Sequence, residues 1–450
     1  MQNDRSKILI DSIKRLLRRN ALTHLRKIID KTHAADLSVV FRSLSLPNQH
    51  KLFEMIEETE QKGALFSELD EDTFLAFNEG IELDDVVEIF EHMPTDDVAD
   101  LLGQLPEDRS DAIIERMKKE SSEEVEGLLH YGDDTAGGIM VPDFIALREN
   151  TTAGEAIESL QKEHLDVEMP FYLYVVDENG KLVGVSSLRQ LVVVSSETPL
   201  KDFMTTDVFT VKTDTDQEEV AKIVARYDIL AVPVVDDTNQ LVGIVTVDDI
   251  IDIIREEATE DILKMVGVGE EFVETKSIFK NIKMRMPWLF ASCIGGIIAS
   301  FIIGHFQVSL SKLAYLAAFI PVIMGMGGNI GVQSATITVR GLATGHLSIR
   351  DIWSVVFKQL MVGLILGLFY GFVVGLVAQF KYNSGLFALS VGLGILCSMS
   401  MAALAGSLVP MTLEKINVDP AIASGPFVTT AIDIISVSFY FIIATTLLGI

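Results

Sequence analysis

The chain has 450 residues, 36 Lys+Arg against 64 Asp+Glu, a net charge of −28 and two cysteines. Such an acidic chain is a poor partner for nucleic acid or anionic lipid, and Cys293 and Cys397, both in apolar segments, leave no disulfide framework or zinc-type Cys/His spacing. The charge is uneven: residues 286–450 hold 6 of the basic and 4 of the acidic groups, which leaves 30 and 60 on residues 1–285.

The first 30 residues are amphipathic and lack an apolar h-region, so no signal peptide is expected and the acidic head is placed in the cytosol. Residues 1–136 read as an all-α domain. Ile8, Ile13, Leu16 and Leu17, then Leu22, Leu25, Ile28 and Ile29, recur at helical spacing. Two similar segments, Glu82–Pro94 and Thr95–Pro106, each suggest a short helix closed near a proline, with Thr95 or Asp96 as N-cap. Stacked units of this kind suggest a helical superhelix, with a generic helical bundle as the alternative.

Residues 137–255 change to an α/β pattern with an internal repeat. Tyr174–Leu188 and Pro233–Val247 share a strand, a turn beginning at Asp177 or Asp236, and a Leu-Val-Gly strand. Asp177 and Asp236 stand 59 residues apart, each seven residues before its glycine, a spacing that suits a hairpin. The regions around Ser187 and Thr246 then open helices. Asp214, Asp216 and Glu218 imitate the start of an EF-hand, but Glu219 and Ala225 stand where that loop needs glycine and glutamate.

Residues 249–285 read as one long helix on which Glu257, Glu260 and Asp261 share a face. Lys276, Lys280, Lys283 and Arg285 come later on the same helix, as expected beside a membrane surface. Five apolar segments come next, at about 288–307, 313–339, 353–380, 385–412 and 420–448. Gln359–Phe380 is 22 residues without a charge, enough to span a bilayer. With the head inside, Lys280, Lys283, Arg285, Arg340, Arg350, Lys358 and Lys415 flank cytoplasmic ends and only Lys312 and Lys381 lie outside, which satisfies the positive-inside rule and puts the C-terminus outside.

Two features of the membrane body carry chemistry. Asp433 is the only formal charge after Asp419, and a carboxylate at bilayer depth is costly unless it faces a cavity or a cation. Pro321–Thr336 holds Gly325, Gly327, Gly328 and Gly331 with Asn329, Gln333, Ser334 and Thr336. Such a segment either packs tightly through small residues or, weakened by glycine, turns carbonyls and amides toward a cavity. Oxygen-only ligands favour a hard cation, and a small divalent ion that keeps its waters needs one carboxylate per chain. One aspartate per chain suits a symmetric pore made by a homodimer. There is no P-loop, nucleophile elbow or metal-hydrolase spacing, so no enzyme is expected.

These motifs together resemble the MgtE family of magnesium channels over nearly the full length. The repeat at 137–200 and 201–255 resembles a tandem pair of CBS domains, residues 256–285 the family's connecting plug helix, and 286–450 its five-helix membrane domain. The resemblance is carried by Pro321–Thr336, by Asp419–Asp433, by Thr213–Glu219 and by Glu256–Asp261. It implies that Asp433 holds hydrated Mg2+ in the pore. It also implies regulatory Mg2+ at Asp96 and Asp100 in the N domain, at Asp216, Glu218, Asp228, Asp249 and Asp252 in the second repeat, at Glu257, Glu260 and Asp261 on the plug helix, and at Asp419. ATP or another adenine nucleotide is the expected ligand of the CBS pair. The implied function is Mg2+ uptake across the cytoplasmic membrane, shut off by cytosolic Mg2+. The alternatives are a carrier for Co2+, Ni2+ or Mn2+, and a membrane-tethered nucleotide sensor.

Overall fold

The helical periodicity of the first segment becomes ten short helices in the computed structural model, which describes residues 2–163, 171–265, 267–268 and 278–449. They are α1 (Gln2–Arg18), α2 (Leu22–Ile29), α3 (Ala34–Arg42), α4 (Leu46–Phe53), α5 (Thr59–Ser67), α6 (Glu71–Asn78), α7 (Leu83–Phe90), α8 (Thr95–Gln104), α9 (Glu107–Ile114) and α10 (Lys119–Leu128). Helices this short are marginal alone and depend on burying one face. They do so around an aromatic cluster in which Phe77 stands edge-on to Phe41 and Phe53, at 4.9 and 5.0 Å between ring centroids. Arg109 on α9 donates to the carbonyls of Asn78 and Ile81 at 2.6 and 3.0 Å, satisfying acceptors that the end of α6 leaves open. Pro94 and Pro106 occupy the N-cap positions of α8 and α9. The prolines therefore start the next helix rather than close the previous one, and neither Thr95 nor Asp96 is the cap. The fixed proline φ suits the first turn, where a missing N–H costs nothing.

The repeat follows as two three-stranded sheets. In the first, β1 (Ala146–Arg148) runs parallel to β2 (Tyr172–Val176), which pairs antiparallel with β3 (Leu182–Ser187); α11 (Ala153–Glu163) and α12 (Leu188–Val193) flank them. In the second, β4 (Val211–Lys212), β5 (Ala231–Val235) and β6 (Leu241–Thr246) repeat that order around α13 (Gln217–Tyr227). The aspartate at each turn is structural. Asp177 Oδ1 accepts from the backbone N–H of Asn179 and Lys181 at 2.8 and 2.9 Å, and Asp236 Oδ1 from Thr238 and Gln240, both at 2.8 Å. The two turns also pair with each other through Lys181 and Gln240. Ser187 caps α12 through a capping box with Gln190.

Helix α14 (Val247–Met265) corrects the expectation of one helix over 249–285. Gly267 has a φ of +74°, its N–H donates to Lys264 O at 3.0 Å, and the N–H of Val268 donates to Leu263 O at 2.9 Å. This paired closure is the Schellman ending, which glycine adopts without the Cβ penalty. Residues 266 and 269–277 of the expected plug helix, Lys276 among them, lie outside the described residues.

The chain divides into two units, residues 1–254 and 255–450. Among the described residues, the second holds five helices long and apolar enough to span a membrane. These are α15 (Ile278–His305), α17 (Ile320–Ala343), α18 (Ile352–Tyr382), α19 (Gly385–Lys415) and α20 (Pro426–Leu448), with the short α16 (Gln307–Lys312) after the first. Residues Pro420–Ser424, expected inside the last span, form a 3-10 turn before it. Helix α19 is central and packs against α17, α18 and α20. Its contact with α18 is close enough that a Cβ at Gly371 would lie 2.5 Å from Gly392 O. Large apolar side chains such as Phe301, Leu368, Phe372 and Phe380 point outward. In water that surface would be a liability; facing hydrocarbon it needs no cover.

Candidate functional site

Helix α17 is unbroken from Ile320 to Ala343, so its glycines do not free backbone carbonyls. They shape its contacts instead. A Cβ at Gly327 would lie 2.4 Å from Ser398 Oγ on α19 and 2.6 Å from Ser436 Oγ on α20, and one at Gly331 would lie 2.0 Å from Ile432 Cδ1. The fully buried Ser398 and Ser436 hydroxyls bond each other at 2.6 Å inside this notch. Ser334 is buried as well and donates to Gln359 Oε1 on α18 at 3.2 Å, so it ties helices together and lines no path. Gly325, Asn329 and Gln333 follow at four-residue spacing on the exposed face of α17.

Asp433 lies beside this helix. It is half-buried on α20, and Gly328 is open toward it, a Cβ there being 3.9 Å from Asp433 Oδ1 with nothing nearer. Among the described residues the Asp433 carboxylate makes no hydrogen bond or ion pair. A deep carboxylate with both oxygens uncommitted is the arrangement that holds a cation with its water shell.

The head presents a second cluster. Ser67 Oγ donates to Asp97 Oδ2 at 2.7 Å, and Thr246 Oγ1 lies 2.6 Å from both Asp248 Oδ1 and Asp249 Oδ2. A hydroxyl carries one proton, so Thr246 can donate to only one of these two carboxylates at a time. Burial first, and then the charges of Asp248 and Asp97, push the Asp249 carboxyl up to about 6 against the Thr246 hydrogen bond. Burial likewise raises Asp97, opposed by Ser67 and helped by Asp248. Asp97 and Asp248 were not singled out in the sequence. Each sits in the first turn of a helix, where an acid is ordinarily read as a complement to the helix dipole.

The other expected ligands are placed as follows. Asp96 is buried on α8 and Asp100 exposed. Asp216 caps α13, accepting from Glu218 N–H at 2.9 Å, and Glu218 pairs with Lys222 at 2.8 Å. Asp228 ends α13 in the left-handed region, φ +52°, a conformation that aspartate tolerates. Asp252 is exposed on α14, with Glu257 and Asp261 half-buried. Glu260 and Asp419 both pair with Lys264. Among the described residues no three His, Cys, Asp or Glu side chains converge to hold a metal by themselves. A hydrated Mg2+ that uses one or two carboxylates and several waters still fits such sites.

Comparison with known proteins matches four stretches of the chain to families. Residues 320–443 match MgtE, described as a divalent cation transporter; 32–134 match the MgtE intracellular N domain; 136–197 and 200–256 match CBS domains. The chain is 40% identical over 328 residues to the magnesium transporter MgtE of Thermus thermophilus, covering 72% of each. It is 32% identical over 444 residues to that of Bacillus subtilis, covering 96% of this chain and 95% of the relative. Among solved structures, the cytosolic domain of the Mg2+ channel MgtE in complex with ATP superposes with a TM-score of 0.52 at 34% identity, covering 54% of this chain and 99% of that one. With full-length similarity at this level and five spanning helices behind a helical domain and a CBS pair, the chain belongs to the MgtE family of membrane transporters and is not an enzyme.

Proposed function

We propose that this protein is a Mg2+-selective channel for uptake across the cytoplasmic membrane. Asp433 stands in the permeation path, and cytosolic Mg2+ bound by the acidic head closes it. The observation that carries this reading is the uncommitted Asp433 carboxylate beside the open face of Gly328, at membrane depth. The relatives, named as magnesium transporters, support Mg2+ as the ion, and the ATP complex of the similar cytosolic domain supports an adenine nucleotide at the CBS pair. A homodimer places two Asp433 side chains about a two-fold axis, doubling the charge offered to one ion. The head lies in the cytosol and the C-terminus outside. The regulatory ions are held by hydrated contacts to Asp96, Asp97, Asp100, Asp249 and Asp252.

Flux into liposomes under a Mg2+ gradient, with internal Mg2+ varied, tests the reading. Asp433→Asn keeps shape and removes charge. Losing even about 1.4 kcal/mol of ion binding costs tenfold, so at least that drop in flux is expected with folding intact. Wild-type flux in this variant removes Asp433 from the path. Co2+, Ni2+ and Mn2+ offered alongside Mg2+ decide selectivity.

A further inference from the structure

The end of α14 is held by an ion triad. Lys264 Nζ lies 2.8 Å from Asp419 Oδ2 and pairs with Glu260 one turn earlier on its own helix. The side chains of Lys264, Asp419 and Glu260 are 28%, 33% and 22% exposed, so solvent screens this group less than an ordinary surface pair. Burial alone would lower the Lys264 pKa; hydrogen bonds to Asp419 and Glu260 outweigh it and hold the ammonium above its usual range. Asp419 also caps the 3-10 turn Pro420–Ser424, accepting from Ala421 N–H at 2.7 Å. That turn leads straight into α20, which carries Asp433. The backbones meet here too: a Cβ at Gly425 would lie 3.4 Å from Lys264 O, and one at Gly267 would lie 3.0 Å from Pro426 Cδ.

From this geometry we infer that Lys264 is a gating residue. Its ammonium, not a divalent ion, joins Glu260 to Asp419 and fixes the start of α20 against the end of α14. The inference rests on the channel reading above. A tethered ammonium already occupies the oxygens that a regulatory ion would use, at no cost in translational freedom. Glu260 and Asp419 are therefore parts of a metal-independent latch, and regulatory Mg2+ acts elsewhere. Without Lys264 the two carboxylates repel across the same short gap, and α14 lets go of the start of α20.

The test is single-channel recording of the full-length protein in liposomes, wild type beside Lys264→Met and Lys264→Arg, the second of which keeps the cation and leaves the Asp419 cap in place. The Met variant is expected to need severalfold more internal Mg2+ to close, with unchanged unitary conductance, and the Arg variant to close near the wild-type concentration. Closure of Lys264→Met at the wild-type Mg2+ concentration overturns the inference, and so does a shift in Lys264→Arg as large as that in Lys264→Met. If Lys264→Met does not fold, Lys264→Gln takes its place under the same criteria. If the wild type itself ignores internal Mg2+, the gating reading fails on its own, and the latch is judged by open probability without Mg2+: higher in the Met variant supports it, equal overturns it.

Discussion

Asp249 is a half-buried carboxyl with two like charges facing it, and its ordinary value of 3.8 is displaced to about 6. A carboxyl raised on folding destabilises the fold when charged. Its penalty is fully present above about pH 6, falls as the pH drops through 6, and is gone below the unfolded value. Two pKa units correspond to about 3 kcal/mol as an upper estimate. In Mg2+-free buffer, Asp249→Asn should melt higher than wild type at pH 7.5, and the difference should narrow below pH 6 and close only below the unfolded value of 3.8. Thermal unfolding of the full-length protein in detergent across that range measures it; a gap that does not change with pH would mean that Asp249 carries no such penalty. Divalent ions should narrow the gap at pH 7.5, because a bound cation relieves the same repulsion that protonation relieves.

At the scale of the elements, membrane helices pack here through glycines whose neighbours differ in their ability to move. Gly406 would place a Cβ 2.3 Å from Gly331 O, a backbone atom, whereas Gly331 would place one 2.0 Å from Ile432 Cδ1, the tip of a flexible side chain. Gly325 has nothing within 4 Å. Alanine should therefore cost most at Gly406, in the overpacking range of about 1–3 kcal/mol. It should cost less at Gly331 and be neutral or slightly stabilising at Gly325, where helix propensity favours alanine. Detergent melting temperatures in any other order would contradict the packing.

The five spans were legible because uncharged runs of that length have few other uses, and the repeat because strand, turn and glycine recur in register. The break after Met265 was not, since Gly267 is one glycine among many and its left-handed conformation shows only in the backbone. Asp433 was legible as a lone charge in apolar surroundings. The partners of Glu260 and Asp419 were not, since Lys264 lies 155 residues from Asp419 and only folding brings them together.

For the whole molecule, the gating proposed above would follow from charge. Thirty basic groups cannot neutralise the sixty acids of residues 1–285, and self-repulsion loosens a compact state. On the reading proposed above, Mg2+ binds the compact head better than the loose one and shifts the population toward it, by no more than its difference in affinity for the two. Moving the equilibrium from mostly open to mostly closed takes about 5.5 kcal/mol, more than one weak hydrated site offers, so several sites must act together. Helix α14 carries acids along its length, and replacing three of them, Asp249→Asn, Asp252→Asn and Glu257→Gln, removes both repulsion and ligands. Flux through this variant should no longer fall as internal Mg2+ rises, and Mg2+ should no longer protect its head from protease. Unitary conductance should stay at the wild-type value, because Asp433 is untouched. A variant that still closes at the wild-type Mg2+ concentration would reduce these carboxylates to a solvated face and leave the regulatory ions without a place on α14.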